Sequence, residues 1–156
     1  MNIRPATEQD FAQICSLFTT EKELFWIYPK GSYPFTLEQL QHLMQVRRDL
    51  TVAEQDGRIL GFANLYNYEA GKSVFIGNVV VDSKSRGQGL GRRLVAHMID
   101  LATQKYALPE VRISVFNENT KALLLYSGFG FVPYEIEERT DFSGARVALI
   151  HMRLKL

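Results

Sequence analysis

Between a β-branched stretch and an amphipathic one, this chain carries Arg86-Gly87-Gln88-Gly89-Leu90-Gly91. Glycines this dense suit neither a strand nor a helix interior. They suit a turn at a helix start, where backbone N–H groups have no partner within the helix. Such a turn is an anion site, because its amides point outward and the helix dipole favours negative charge. Side chains at 87, 89 and 91 would stand between that backbone and phosphate oxygens. Arg86 and Arg92 can add charge-assisted hydrogen bonds.

Two better-known phosphate motifs do not fit. A dinucleotide fingerprint needs its third glycine one residue later, with an acid ending the following strand. A P-loop needs Gly-Lys-Ser/Thr, and here Gly91 precedes Arg92 and Arg93. Taken alone, the segment also reads as a glycine-rich turn before an ordinary helix.

The flanks give the architecture. Ile3 opens a short strand, and Thr7 caps a helix that places Phe11, Ile14, Cys15, Leu17 and Phe18 on one face. Residues 25–35, with two prolines, a glycine and Phe25, Trp26, Tyr28, Tyr33 and Phe35, read as an ordered loop. Thr36 and Gln39 form a capping-box pattern for a second helix, with Leu40, Leu43 and Met44 inward and an end near Arg47 or Arg48. Leu50 to Ala53, Ile59 to Tyr68 and Ser73 to Asp82 read as an antiparallel meander turning first at Asp56-Gly57. Helical period resumes from Leu90. Val111 to Phe116 is a strand, Asn119 to about Ser127 a short helix, and Val132 to Ile136 and Val147 to Leu154 are closing strands. The predicted class is α/β (α+β), a mixed, mostly antiparallel six- to seven-stranded sheet flanked by about four helices.

At 156 residues, without repeat or linker, one domain over 1–156 is expected. Lysine plus arginine number 18 and aspartate plus glutamate 17, for a net charge of +1. That balance supplies no global field, so neither a nucleic-acid nor a membrane partner is expected. Cys15 reads as a small core hydrophobe, and His42, His97 and His151 share no metal-ligand spacing, so no metal is expected. With no signal-like or membrane-length apolar run, the expected location is cytoplasmic.

A second motif follows: Asn119-Thr120-Lys121-Ala122-Leu123-Leu124-Leu125-Tyr126, then Gly128-Phe129. Val79-Val80-Val81-Asp82, then RGQGLG, then N-x-x-A-x-x-L-Y and G-F resembles the GCN5-related N-acetyltransferase (GNAT) superfamily in order, spacing and residue type. The motif-level resemblance runs from about Phe75 to Phe131. It implies a splayed pair formed by the Val79–Val81 strand and the Val111–Phe116 strand, with the active-site cleft between them. By the same resemblance Val79, Val80 and Val81 would pair with the pantetheine arm of acetyl-CoA. Arg86, Gly87, Gln88, Gly89, Leu90 and Gly91 would hold its pyrophosphate, and Asn119 would contact the pantetheine.

The implied activity is transfer of an acetyl group from acetyl-CoA, as co-substrate, to a primary amine, by direct attack through a tetrahedral intermediate. A small-molecule acceptor is the first reading. A protein N-terminus or lysine is the alternative, and a non-catalytic acyl-CoA-binding module is a third. Amine attack on a thioester needs a backbone donor for the oxyanion, and a free N–H near Val80 or Val81 is the candidate. The departing thiolate needs a proton donor, which the family motif assigns to Tyr126 although periodicity alone would make it core. The base is open: Glu21, Glu23, Glu54 and Glu69 are the candidate carboxylates, none singled out by spacing, with Glu21 and Glu23 read as solvated charges. Ile76-Gly77-Asn78-Val79 lacks the glutamate some family members hold there. The aromatic loop reads equally as pocket wall and as core. The strand Val147 to Leu154 could pair across a two-fold axis to give a homodimer, as in some relatives.

Overall fold

The middle of the chain forms the meander its alternating apolar residues demand, and the two ends complete the sheet around it. A computed structural model describes residues 1–156. The strands are β1 (Asn2–Pro5), β2 (Arg48–Gln55), β3 (Arg58–Glu69), β4 (Ser73–Val81), β5 (Glu110–Phe116), β6 (Val132–Thr140) and β7 (Arg146–Lys155). They make one seven-stranded sheet in the order β1-β2-β3-β4-β5-β7-β6. Only β4 and β5 are parallel, and every other neighbouring pair is antiparallel. The Asp56-Gly57 turn has φ of 52° and 77°, the left-handed pair that a two-residue hairpin requires.

The helices are α1 (Phe11–Cys15), preceded by a 3-10 turn at Glu8–Asp10, α2 (Glu21–Ile27), α3 (Leu37–Val46), α4 (Leu90–Asp100), continued by a π-helical turn at Leu101–Lys105, and α5 (Thr120–Phe129). No helix is long and apolar enough to cross a membrane. Each sheet face has its own core. Leu90, Leu94, Met98, Val111, Ile113, Tyr126 and Phe131 pack on the α4/α5 face. Phe11, Ile14, Leu24, Leu40, Leu43, Phe62 and Val80 pack on the face under α1 to α3.

Four expectations need correction. The segment predicted as loop from Phe25 begins inside α2, because Thr20 caps that helix and its side chain accepts from the Glu23 amide at 3.0 Å. Thr20-x-x-Glu23 has the capping-box spacing, a legible signal outweighed by the downstream prolines. Met44 points outward, 44% exposed, because Leu40 and Leu43 already fill the inner stripe of α3. Cys15 is half-buried beside the α1–α3 core, where burial pushes its thiol up. Finally, β7 lies between β5 and β6, so its backbone is paired on both sides and has no edge for a second copy; the sheet edges are β1 and β6.

At the β1 edge, Arg4 grips Asp10 with two hydrogen bonds of 2.8 and 2.9 Å and donates to Glu54 at 2.6 Å. The Arg4 hydrogen bonds hold the Asp10 carboxyl below its ordinary range, against the opposing effect of burial. A depressed carboxylate stabilises the fold above its unfolded value, and that stability is lost as pH falls through the folded value. Urea unfolding between neutral and acid pH should therefore show an acid-labile increment that Asp10→Asn removes; an unchanged acid limb would show the pair to be inert.

Candidate functional site

The site begins where β4 and β5 part. Their parallel register runs from Ser73 opposite Glu110 to Ile76 opposite Ile113 and stops. Beyond it β4 stays with β3, through Phe62 opposite Val80 and Gly61 opposite Val81, after a register shift. Asn78 sits in that shift at φ 53°, a left-handed conformation that asparagine tolerates better than most residues. Its buried side chain receives a hydrogen bond from Asn64 Nδ2 at 2.7 Å and donates to the Ile27 carbonyl at 2.9 Å. The expected splay is therefore present, pinned by two asparagines and the last residue of α2.

The parting leaves backbone groups unused. The Asp82 amide donates to the Leu60 carbonyl at 2.8 Å, which makes Asp82/Leu60 a hydrogen-bonded pair. Antiparallel alternation then makes Val80/Phe62 one too and turns the backbone edge of Val81 toward the gap. The Val81 carbonyl accepts from Arg86 Nε on that side, at 3.2 Å. Of the two residues suggested from sequence, Val81 rather than Val80 presents a free amide. The side chain of Val80 is buried under α1 to α3, while that of Val79 lines the gap.

A cleft of about 370 Å³ fills the gap. Trp26, Tyr28, Arg47 and Tyr66 form one part of its wall, and Ser114, Asn119, Tyr126 and His151 another. The aromatic segment thus divides residue by residue: Phe35 is core, Tyr28 is both core and wall, and Trp26 is wall. Phe25 stacks on Phe116 at 4.6 Å, and Tyr33 donates to the Thr19 carbonyl. Tyr126 is 6% exposed, and burial, then the neighbouring Tyr66 phenol, pushes its pKa well above that of an ordinary tyrosine. Asn119 caps α5, accepting from the Ala122 amide at 3.4 Å.

The glycine segment lies past the end of β4. Gly87 and Gly89 have φ of 78° and 79°, and a Cβ on either would meet nothing within 4 Å, so backbone conformation selects glycine there. The amides of Gly87 to Arg92 meet no backbone carbonyl; the first that does is Arg93, to Gly89 at 3.1 Å. Leu90 turns inward, 6% exposed, and seats α4, whereas Gln88 is exposed. Gly91 differs from the expectation, since its Cβ would face Leu125 at 3.6 Å and Val81 at 3.7 Å rather than an anion. Arg86 also differs, donating through Nη2 to Glu23 at 2.5 Å. Glu23, expected to be solvated, has a side chain only 13% exposed and ties α2 to the loop. Arg92 lies over the Phe129 ring at 4.8 Å.

None of the four glutamates weighed from sequence lines the cleft. What sequence did not foresee is a hydrogen-bonded chain that begins in its lining: Ser114 Oγ lies 2.7 Å from His151 Nδ1, and His151 Nε2 lies 3.0 Å from Glu137 Oε2 behind it. With Glu137 accepting from Nε2–H, Nδ1 accepts the Ser114 hydroxyl hydrogen and leaves the serine oxygen free to accept another. Glu137 is held below the ordinary carboxylate range by Arg139 first and His151 second. Ser114 and His151 face each other in the β5/β7 register, a pairing that sequence spacing does not announce.

Comparison with known proteins gives this geometry a context. A family model described as acetyltransferase (GNAT) family matches residues 11–131. The Bacillus subtilis spermine/spermidine N(1)-acetyltransferase is 25% identical over 154 residues, 94% of this chain and 95% of that protein. The uncharacterized N-acetyltransferase YhfO of the same organism is 30% identical over 148 residues, 91% and 93% of the two chains. Among solved structures, yncA from Salmonella typhimurium, determined with its cofactor acetyl-CoA, superposes with a TM-score of 0.79 at 22% identity, covering 100% of this chain and 94% of that one.

The glycines make separable predictions. Gly89→Ala should lower the urea-unfolding stability by about 1–2 kcal/mol, the cost of a left-handed residue with a Cβ. Gly91→Ala, in the first turn of α4 with room for a methyl, should raise it by about 0.5–1 kcal/mol. Equal effects would show that the two positions do not differ in backbone conformation.

Proposed function

Because the chain belongs to the acetyltransferase (GNAT) family, we propose that it transfers an acetyl group from acetyl-CoA to the primary amine of a small molecule. The observation that carries the reading is the coincidence, at one end of β4, of the unpaired Gly87–Arg92 amides, the free Val81 amide and a cleft lined by Tyr126. In this reading the Gly87, Gln88 and Gly89 amides, with those at the start of α4, receive the pyrophosphate. Val79 offers its strand edge to the pantetheine arm, and Asn119 closes its other side.

The chemistry then divides among named groups. The amine nitrogen forms a bond to the thioester carbonyl carbon, and the Val81 amide donates to the oxygen as it gains charge. The carbon–sulfur bond breaks, and Tyr126 gives its proton to sulfur. Burial keeps that phenol in its protonated, donor form, while the same burial makes it a weaker acid toward the thiolate than an ordinary tyrosine. Before attack the acceptor ammonium gives one proton to the Ser114 oxygen as the Ser114 proton moves to His151, whose orientation Glu137 fixes, so a neutral amine attacks; the second nitrogen proton, lost as the tetrahedral intermediate collapses, restores the Tyr126 phenol.

A cleft enclosed by α2, β3 and β5 supports a small acceptor over a protein one. Its volume of about 370 Å³ suits one compact molecule beside the thioester arm.

Acetyl-CoA at about 100 times its Kd should raise unfolding stability by about 2.7 kcal/mol, with no comparable shift from NAD or ATP; absence of any shift with acetyl-CoA removes the reading. Tyr126→Phe should retain that shift while lowering kcat by about 10²- to 10⁴-fold. An unchanged rate of thiol release across an amine panel would assign Tyr126 to packing and favour a binding module. His151→Gln should lower kcat most near neutral pH and recover toward alkaline pH, where the amine is already neutral; a uniform loss at every pH would exclude a proton-transfer role.

A further inference from the structure

The charged groups around the acceptor end of the cleft are all of one sign. Lys30, Arg47 and Arg139 line it, and no aspartate or glutamate does. Arg139 is answered by Glu137 at 2.7 Å, whereas no ion pair of the chain involves Lys30 or Arg47. Lys30 is exposed and can rely on water. Arg47 is half-buried, its guanidinium stacked over Tyr66 at 4.0 Å with Tyr28 at 5.7 Å. Its one hydrogen bond is from Nη1 to Asn64 Oδ1 at 3.3 Å. The other donors of the planar fork have no protein partner and stay accessible to solvent or a ligand.

The chain has shaped itself around this cation. A Cβ at Gly77 would collide with Arg47 Nη1 and would sit 2.7 Å from the Tyr66 ring. Gly77 has no left-handed φ to explain it, so the absent side chain is what seats the guanidinium. An unneutralised charge partly withdrawn from water is costly, and burial is the largest influence on Arg47, acting against its charged form. A methionine would fill the same space without that cost.

The guanidinium is also in the wrong place for the pyrophosphate. It packs at Gly77, while the unpaired amides lie beyond Val81, more than about 13 Å further along the strand path. From Gly77 to Val79, where the cleft meets the strand edge, is at most about 7 Å. That span fits a carboxylate at one end of a small molecule and its amine at the other.

Resting on the acetyltransferase reading, we infer that the acceptor is an amine bearing a nearby carboxylate, an amino acid, which Arg47 holds through a two-pronged hydrogen bond beside Gly77. Trp26, Tyr28 and Tyr66 supply an apolar wall for its side chain. The same cations make the cleft hostile to a polyamine, whose additional ammonium groups would meet Lys30 and Arg47 with no carboxylate to receive them. The acceptor class thereby differs from that in the name of the Bacillus subtilis relative.

The test uses matched pairs with acetyl-CoA as donor: L-phenylalanine against phenethylamine, L-leucine against isoamylamine, and spermidine beside them. A dipeptide with N-terminal phenylalanine, whose carboxylate lies farther from the amine, separates a free amino acid from a peptide. The amino acid should exceed its decarboxylated partner in kcat/KM by roughly 10- to 100-fold, the range for hydrogen bonds to a charged group. Arg47→Met should bring that ratio close to one, chiefly through KM, and Arg47→Lys should restore part of it. Gly77→Ala should reproduce the loss by displacing the guanidinium, with Arg47 itself intact. Preference for decarboxylated amines, for spermidine or for the dipeptide, or a ratio that Arg47→Met leaves unchanged, overturns the inference. Failure of acetyl-CoA to shift stability would instead fail the acetyltransferase reading itself.

Discussion

The structure turns on the point where β4 ceases to pair with β5. A parallel pair left intact along its length would close the sheet, use the Val81 edge in a ladder and leave no cleft. Three polar groups prevent this. Asn78 adopts a left-handed backbone that shifts the β3/β4 register, and Asn64 and the Ile27 carbonyl satisfy its side chain. Buried amides are costly unless fully bonded, so this arrangement has one low-energy form and fixes the opening. Arg47, donating to Asn64, couples α3 and the cleft wall to the same chain of hydrogen bonds.

From that opening the two ends of the cleft use different chemistry. Toward the glycine segment the donors are backbone amides, placed by the left-handed conformation of Gly87 and Gly89 and by the start of α4. Backbone donors suit a ligand group that does not vary. Toward α2 and α3 the cleft is built from side chains on separate elements: Trp26 and Tyr28 around the end of α2, Arg47 at the end of α3 and Tyr66 on β3. Side chains can differ without disturbing the sheet, which is where acceptor specificity can be set. Glu23 bridges the two ends by binding Arg86 from α2, so the wall of one subsite is tethered to the loop of the other.

Tyr126 is a core residue that also lines the cleft. At helical spacing on α5 it packs among Leu94, Met98 and Phe131, as periodicity alone would suggest, yet it also reaches the cleft. Burial supplies both the packing and the raised pKa, so the structural and chemical readings of this tyrosine describe one environment. The relay of Ser114, His151 and Glu137 is the complementary case, since none of its members belongs to a motif.

Local sequence determined the elements and the glycine-rich end of the cleft. The RGQGLG turn, the Asn119 cap, the meander and the amphipathic stripes of α3 and α4 each arise from residues adjacent in sequence or within a helical turn. Their physical cause is therefore complete in a short window. The same window misled where two local signals competed: the Thr20 cap started α2 despite the prolines downstream, and Leu40 and Leu43 left Met44 without a place inside. Tertiary structure alone decided the end of the cleft under α2 and α3. Arg47 meets Gly77, Ser114 meets His151, and Glu23 meets Arg86 only because the sheet order brings distant strands and helices together. Whether a charged side chain is solvated, paired or held ready for a ligand depends on those neighbours, since the energy of a charge is set by what surrounds it in space.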